Sequence, residues 1–150
     1  MHGFQYGTAV QLWQQLVRES ESRQHVLLGE ELQAYLVFAL MRHLRDHDLV
    51  DRAMGQEWLR AHEGPMVAER LRDVGDQCLL IAGLYPELAQ RRLVDEDFYV
   101  GLGRSAYSRA ARRARTAERP LFALLVDGFH SLRIVLRSMR QADALAGMRA

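Results

Sequence analysis

The chain has 150 residues, 49% hydrophobic and 26% charged, which excludes a disordered polymer and fits one domain able to bury roughly 68–70% of its unfolded surface. Its formal net charge is +1, and all 20 basic residues are Arg, with neither Lys nor Asn anywhere. The lone cysteine, Cys78, excludes an internal disulfide framework and a thiolate metal cage, and the longest apolar run, residues 35–41, falls far short of the ~20 needed to span a bilayer.

Leu, Ala, Arg, Glu and Gln dominate, and only three prolines interrupt the chain, so the expected fold class is all-α: a single compact bundle of about six helices over 1–150. A first helix is expected from Thr8 as N-cap, with Val10, Leu12, Trp13, Leu16 and Val17 at helical spacing, ended by "RESESRQ". A second, from about Glu30 to Asp46, traces Leu32, Tyr35, Leu36, Ala39, Leu40 and His43 along one face. Val37, Phe38 and Met41 extend its apolar surface nearly all round, so this helix is expected to be central. A third runs over roughly Leu49–Ala61. The fourth, about Met66–Ala82, carries Leu71, Val74, Cys78 and Ile81 on one seam, with Gly83 in the place of a C-cap. "PELAQRRL" forms a short helix, and the fifth long one runs from about Asp95 to Arg115. The last begins near Glu118 with Pro120 in its first turn, continues past Met139, and is expected to be central as well.

Charge is unevenly spread: residues 1–103 hold 10 Arg against 16 acids, and residues 104–150 hold 10 Arg against 3. Across that boundary, "GLGRSA" (101–106) formally matches a relaxed dinucleotide fingerprint. That chemistry needs a strand, a tight turn and a helix N-terminus facing the pyrophosphate. Here acidic, helix-starting "DEDFYV" precedes the glycines, so the match is set aside. Gly103, Ala106, Ala110 and Ala114, bordered by Tyr99 and Tyr107, instead form a small-residue seam for close helix packing. Arg104, Arg109, Arg112, Arg113 and Arg115 cluster on the same helix as a candidate polyanion-binding face, though no helix-turn-helix, zinc-finger or RNA-recognition signature accompanies them. Their simpler role is a solvated face, or one docked on the acidic helices of the fold.

His43 and His47 stand at i and i+4, but no Glu-x-x-His occurs, so no metal site and no cofactor is assigned. No nucleophile–base set can be read, so no catalytic residue is assigned either. Asp73 and Asp76 lie near the packing face of the fourth helix, where pairing with Arg104 is expected. Asp76, Tyr99, Arg104 and Tyr107 are accordingly the candidates for a small-ligand pocket.

The block "GDQCLLIAGLYPELAQRRLVDEDFYVGLGRSAYSRAA" (75–111) resembles a family of small bacterial helical proteins with the pattern G-D, then G-L-[FY]-P, then Y-x-x-x-G-R-[SA]-A-Y. Gly75-Asp76, Gly83-Leu84-Tyr85-Pro86, Tyr99 and Gly103-Arg104-Ser105-Ala106-Tyr107 carry the resemblance. It covers about a quarter of the chain, implies a bacterial origin and a helical fold, and brings no catalytic residue with it.

The functional expectation is a non-catalytic helical module acting through a protein partner or a second copy of itself, with exposed apolar residues on the edge of the first or last helix as its interface. Polyanion binding through the Arg face is the alternative, and a ligand or enzyme pocket near Asp76 and Arg104 the third. No membrane association is expected. An N-terminus without a basic stretch followed by an apolar one points to the cytoplasm.

Overall fold

The computed structural model describes residues 2–46, 48–95 and 97–147, with side chains over 9–142. It is all-α, with eight α-helices among the described residues: α1 (His2–Gln24), α2 (Glu30–His43), α3 (Met54–Ala61), α4 (Val67–Leu84), α5 (Leu88–Arg91), α6 (Asp97–Arg113), α7 (Arg119–Asp127) and α8 (Phe129–Gly147). Short 3-10 turns at Leu49–Asp51 and Thr116–Glu118 lead into α3 and α7. Among the described residues there is no strand, and no helix is long and apolar enough to cross a membrane.

The helix at the centre is α4. It packs mainly on α6 and α8, with α3 also against it; α1 lies on α8 and α2, and α7 on α6. Every residue from Val74 to Leu84 is buried. The seam of Leu71, Val74, Cys78 and Ile81 faces the core as its spacing requires. The helix is covered beyond that seam too, because small residues let neighbouring helices come close. A Cβ on Gly75 would lie 2.6 Å from the Tyr107 ring of α6, and one on Gly83 would lie 2.5 Å from Leu136 Cβ of α8.

Several expectations are corrected here. The count rises from about six helices to eight because the final segment breaks at Gly128, and because the short helix expected within "PELAQRRL", observed at Leu88–Arg91, counts as one of the eight. A Cβ at Gly128 would stand 2.7 Å from Leu32 Cδ1 and 3.0 Å from the Leu124 carbonyl oxygen, so α2 crosses close at the break. The central place expected for α2 falls to α4, and Phe38 of α2 is 48% exposed. Gly83 is an interior packing residue rather than a cap, since α4 continues through Leu84. The stretch "RESESRQ" lies within α1, which runs on to Gln24 and starts well before Thr8. Ser20 and Glu21 are buried there. The Glu21 carboxylate accepts from the Leu28 backbone N–H (3.0 Å) and from the Gln33 amide, so an acidic residue closes the α1–α2 turn instead of ending the helix. Finally, α2 stops at His43, ahead of His47, which lies outside the described residues.

Candidate functional site

Three features could carry function, and each is built from a local pattern in the sequence. The first is a buried polar centre. Gly75 lets α6 approach α4 so closely that the Tyr107 ring lies against the α4 backbone, which brings its hydroxyl to Asp76. Tyr107 and Asp76 are both fully buried. The Tyr107 and Tyr35 hydroxyls each donate to Asp76 Oδ1 at 2.7 Å, and His43 Nε2 lies 3.1 Å from Oδ2. A carboxylate only accepts, so the proton of that last contact sits on His43 Nε2. Burial, then the charge of Asp76, pushes both phenol pKa values far above the ordinary range, so the hydroxyls stay protonated as donors.

The cluster of His43, Asp73 and Asp76 brings ligand-type atoms within 4.8 Å of one another. Its remaining contacts point to another use. Both Asp76 oxygens already accept. Asp73 is held by the guanidiniums of Arg42 (3.1 Å) and Arg72 (3.4 Å), whose charge opposes a cation. The centre works as a clasp that ties α2, α4 and α6 together.

Of the four pocket candidates, Asp76 and Tyr107 meet in a direct hydrogen bond and both are fully buried. Tyr99 is buried edge-on to Phe98, with ring centroids 5.1 Å apart. The expected Asp76–Arg104 pair does not form. Gly103 takes the face of α6 that meets Cys78 and Phe129, so the next residue is turned outward, and Arg104 donates instead to the Val126 carbonyl of α7 at 3.3 Å. Tyr35 and His43 are the members that the sequence reading did not assign to this centre. Two polar side chains on the apolar face of α2 were the signal available.

The second feature is the Arg face. Arg104, Arg109, Arg112, Arg113 and Arg115 are all exposed, and none pairs with a carboxylate among the described residues. They are therefore not docked on the acidic helices of the fold. Arg109 stacks over Trp58, 5.2 Å from the ring centroid. Beneath them the small-residue seam of Gly103, Ala106, Ala110 and Ala114 is buried, as are Tyr99 and Tyr107.

The third feature is an apolar groove of about 340 Å³ at the end of the bundle where α1, α2, α4 and α8 come together. Trp13 and Leu16 of α1, Leu40 of α2 and Leu44 just beyond its end, Leu84 of α4 and Met139 of α8 form its walls. Two guanidiniums border it. Arg140 donates to the Leu84 carbonyl, stacks over Tyr85 (5.5 Å) and pairs with Glu87 at 3.3 Å. Arg23 is held by two buried serines: Nε donates to Ser138 Oγ (3.1 Å) and Nη2 to Ser20 Oγ (2.8 Å). Neither Arg23 nor the groove emerged from the sequence, because Ser138 lies 115 residues further along the chain.

No family model matches the chain, and neither a curated protein nor a solved structure shows significant similarity to it.

Proposed function

We propose that the chain is a non-catalytic helical module that works by binding, with the groove between α1, α2, α4 and α8 as its site. The observation that carries this reading is an apolar concavity of about 340 Å³, inside the range of small-ligand sites, with polar groups converging at its edge. Its walls include the first and last helices, where an interface was expected. Asp76, the most buried acid among the described residues, is consumed by Tyr35, Tyr107 and His43, which favours a structural role over catalysis at that centre. A bacterial, cytoplasmic setting is part of the proposal. It rests on the resemblance at 75–111 and on a single cysteine that is buried.

The test uses Trp13, which lines the groove. With Trp58→Phe, Trp13 is the sole indole of the two in the chain. Its emission is expected to shift when an apolar probe is added, and probe binding, read by calorimetry because the variant adds an indole, is expected to disappear in Leu16→Trp. Native mass spectrometry of the purified protein reads bound ligand, metal and homodimer together. A bare monomer, with a Trp13 signal indifferent to apolar probes, would overturn the reading.

A second reading, polyanion binding, is supported by the exposed arginines of α6 that lack carboxylate partners among the described residues. It predicts a salt-dependent electrophoretic shift with DNA or RNA that is lost when Arg112, Arg113 and Arg115 become Gln. Unchanged mobility at low salt removes it.

A further inference from the structure

We infer that the groove takes a single unbranched alkyl chain ending in a carboxylate, with the chain against Leu16, Leu40, Leu84 and Met139 and the carboxylate on Arg23. The inference rests on the proposed use of the groove as the binding site and adds the chemistry of its occupant.

Size comes first. A cavity of about 340 Å³ lies at the small end of ligand sites, which span roughly 300–1,000 Å³. A helix about 10–12 Å across does not enter such a space, so the occupant is a slim small molecule and not a segment of protein. The walls are aliphatic and aromatic, and Leu40, Leu84 and Met139 are almost completely buried. Such a lining rewards methylene groups; its hydroxyl-bearing members, Ser20 and Tyr85, stand against the two bordering guanidiniums.

Charge then sets the head group. Of the two guanidiniums at the groove, Arg140 is already neutralised by Glu87. Arg23 has no carboxylate partner among the described residues. Its Nε and Nη2 are fixed by Ser138 and Ser20, while Nη1 has no acceptor among the described residues. The two serine hydroxyls are buried, so the guanidinium is positioned before any ligand arrives, and little side-chain entropy is lost on binding. One positive charge without a carboxylate partner among the described residues suits a monoanion. The second charge of a dianionic phosphate would find no further unpaired guanidinium among the described residues at the groove, since Arg140 is paired with Glu87, so a carboxylate is the better match.

The experiment is isothermal calorimetry on the full chain with two series, n-alkyl carboxylates from hexanoate to tetradecanoate and the matching n-alkyl alcohols. Each added CH2 is expected to tighten binding about fourfold until the groove is filled. At equal length the carboxylate is expected to bind about tenfold to a hundredfold more tightly than the alcohol. Arg23→Gln should erase the carboxylate preference and leave the chain-length dependence intact, and Leu16→Trp should abolish binding of both series. Alcohols that bind as well as carboxylates, or a preference that survives Arg23→Gln, overturn the carboxylate assignment while the groove reading stands. If neither series binds, both the alkyl assignment and the groove reading are overturned.

Discussion

Asp76 sits at the meeting point of three helices, and what it holds there can be measured by changing one group at a time. Asn at position 76 keeps an oxygen for Tyr35 and Tyr107 and a polar atom for His43. Asp76→Asn should therefore cost far less than Asp76→Leu, which strands the buried Tyr107 and His43 and the half-buried Tyr35 and is expected to cost about 3–5 kcal/mol in chemical denaturation. Tyr107→Phe should cost about 1.5–3 kcal/mol, the range for a hydrogen bond to a charged partner. Tyr35→Phe should cost less, because Tyr35 is only half-buried. The same phenols set an alkaline limit. Their folded pKa values lie far above the ordinary tyrosine range, chiefly through burial and then through Asp76. Their contribution to stability is thus complete below pH ~10 and is lost as pH rises beyond it, by up to about 1.4 kcal/mol per pH unit for fully buried Tyr107. A tyrosinate absorbance titration should show these two of the five tyrosines ionising only as the chain unfolds. Burial likewise pushes the Cys78 thiol up, so alkylation of Cys78 should follow the unfolded fraction and stall in the native protein. The residue types of this centre were visible in the sequence, where Asp76 already stood beside the α4 seam. Its partners were not, because they come from helices 31 and 41 residues away.

Helix packing turns on which glycines face a neighbour. In α6, Gly101 has nothing within 4 Å of where a Cβ would stand, whereas at Gly103 a Cβ would lie 2.7 Å from the Phe129 ring and 3.0 Å from Cys78 Cβ. Gly101→Ala should accordingly stabilise the protein by up to about 1 kcal/mol through helix propensity. Gly103→Ala and Gly83→Ala should each destabilise it by about 1–3 kcal/mol through overpacking. Thermal melts of the three variants check the contrast, and a stabilising Gly103→Ala would contradict the packing described for α6. The seam at 103, 106, 110 and 114 was legible because a run of small residues at helical spacing has few other uses. The break between α7 and α8 was not. Gly128 has an ordinary backbone (φ −92), so nothing local requires glycine there; the requirement comes from Leu32 of α2. The burial of α4 on all sides was hidden for a related reason. Its large residues trace one seam, and Gly75 and Gly83 announce a second contact surface only once the helices that use it are in place.

At the scale of the whole molecule, the acidic first part and the basic last part of the chain form no ion pair through α6 among the described residues. The arginines of α6 face outward, while the ion pairs formed by Arg42 and Arg52 gather around α2 and α4. The groove is a property of the assembled bundle, since its walls come from four helices spread along the sequence. Occupancy should raise the stability of the whole domain by mass action, about 2.7 kcal/mol at a ligand concentration near 100 times Kd. A rise in Tm that grows with the logarithm of ligand concentration, and that vanishes in Leu16→Trp, is the expected signature. The sequence by itself determined that the chain is helical, where most helices run, and which face of α6 is small enough to be approached. It could do so because helical period and residue size are local quantities. Tertiary structure alone decided that α4 is central, that Asp76 is shared by Tyr35, Tyr107 and His43, and that Arg23 is pinned by Ser138 at the mouth of an apolar groove. Periodicity says which face a helix buries. Only the packing of complementary surfaces says against which partner.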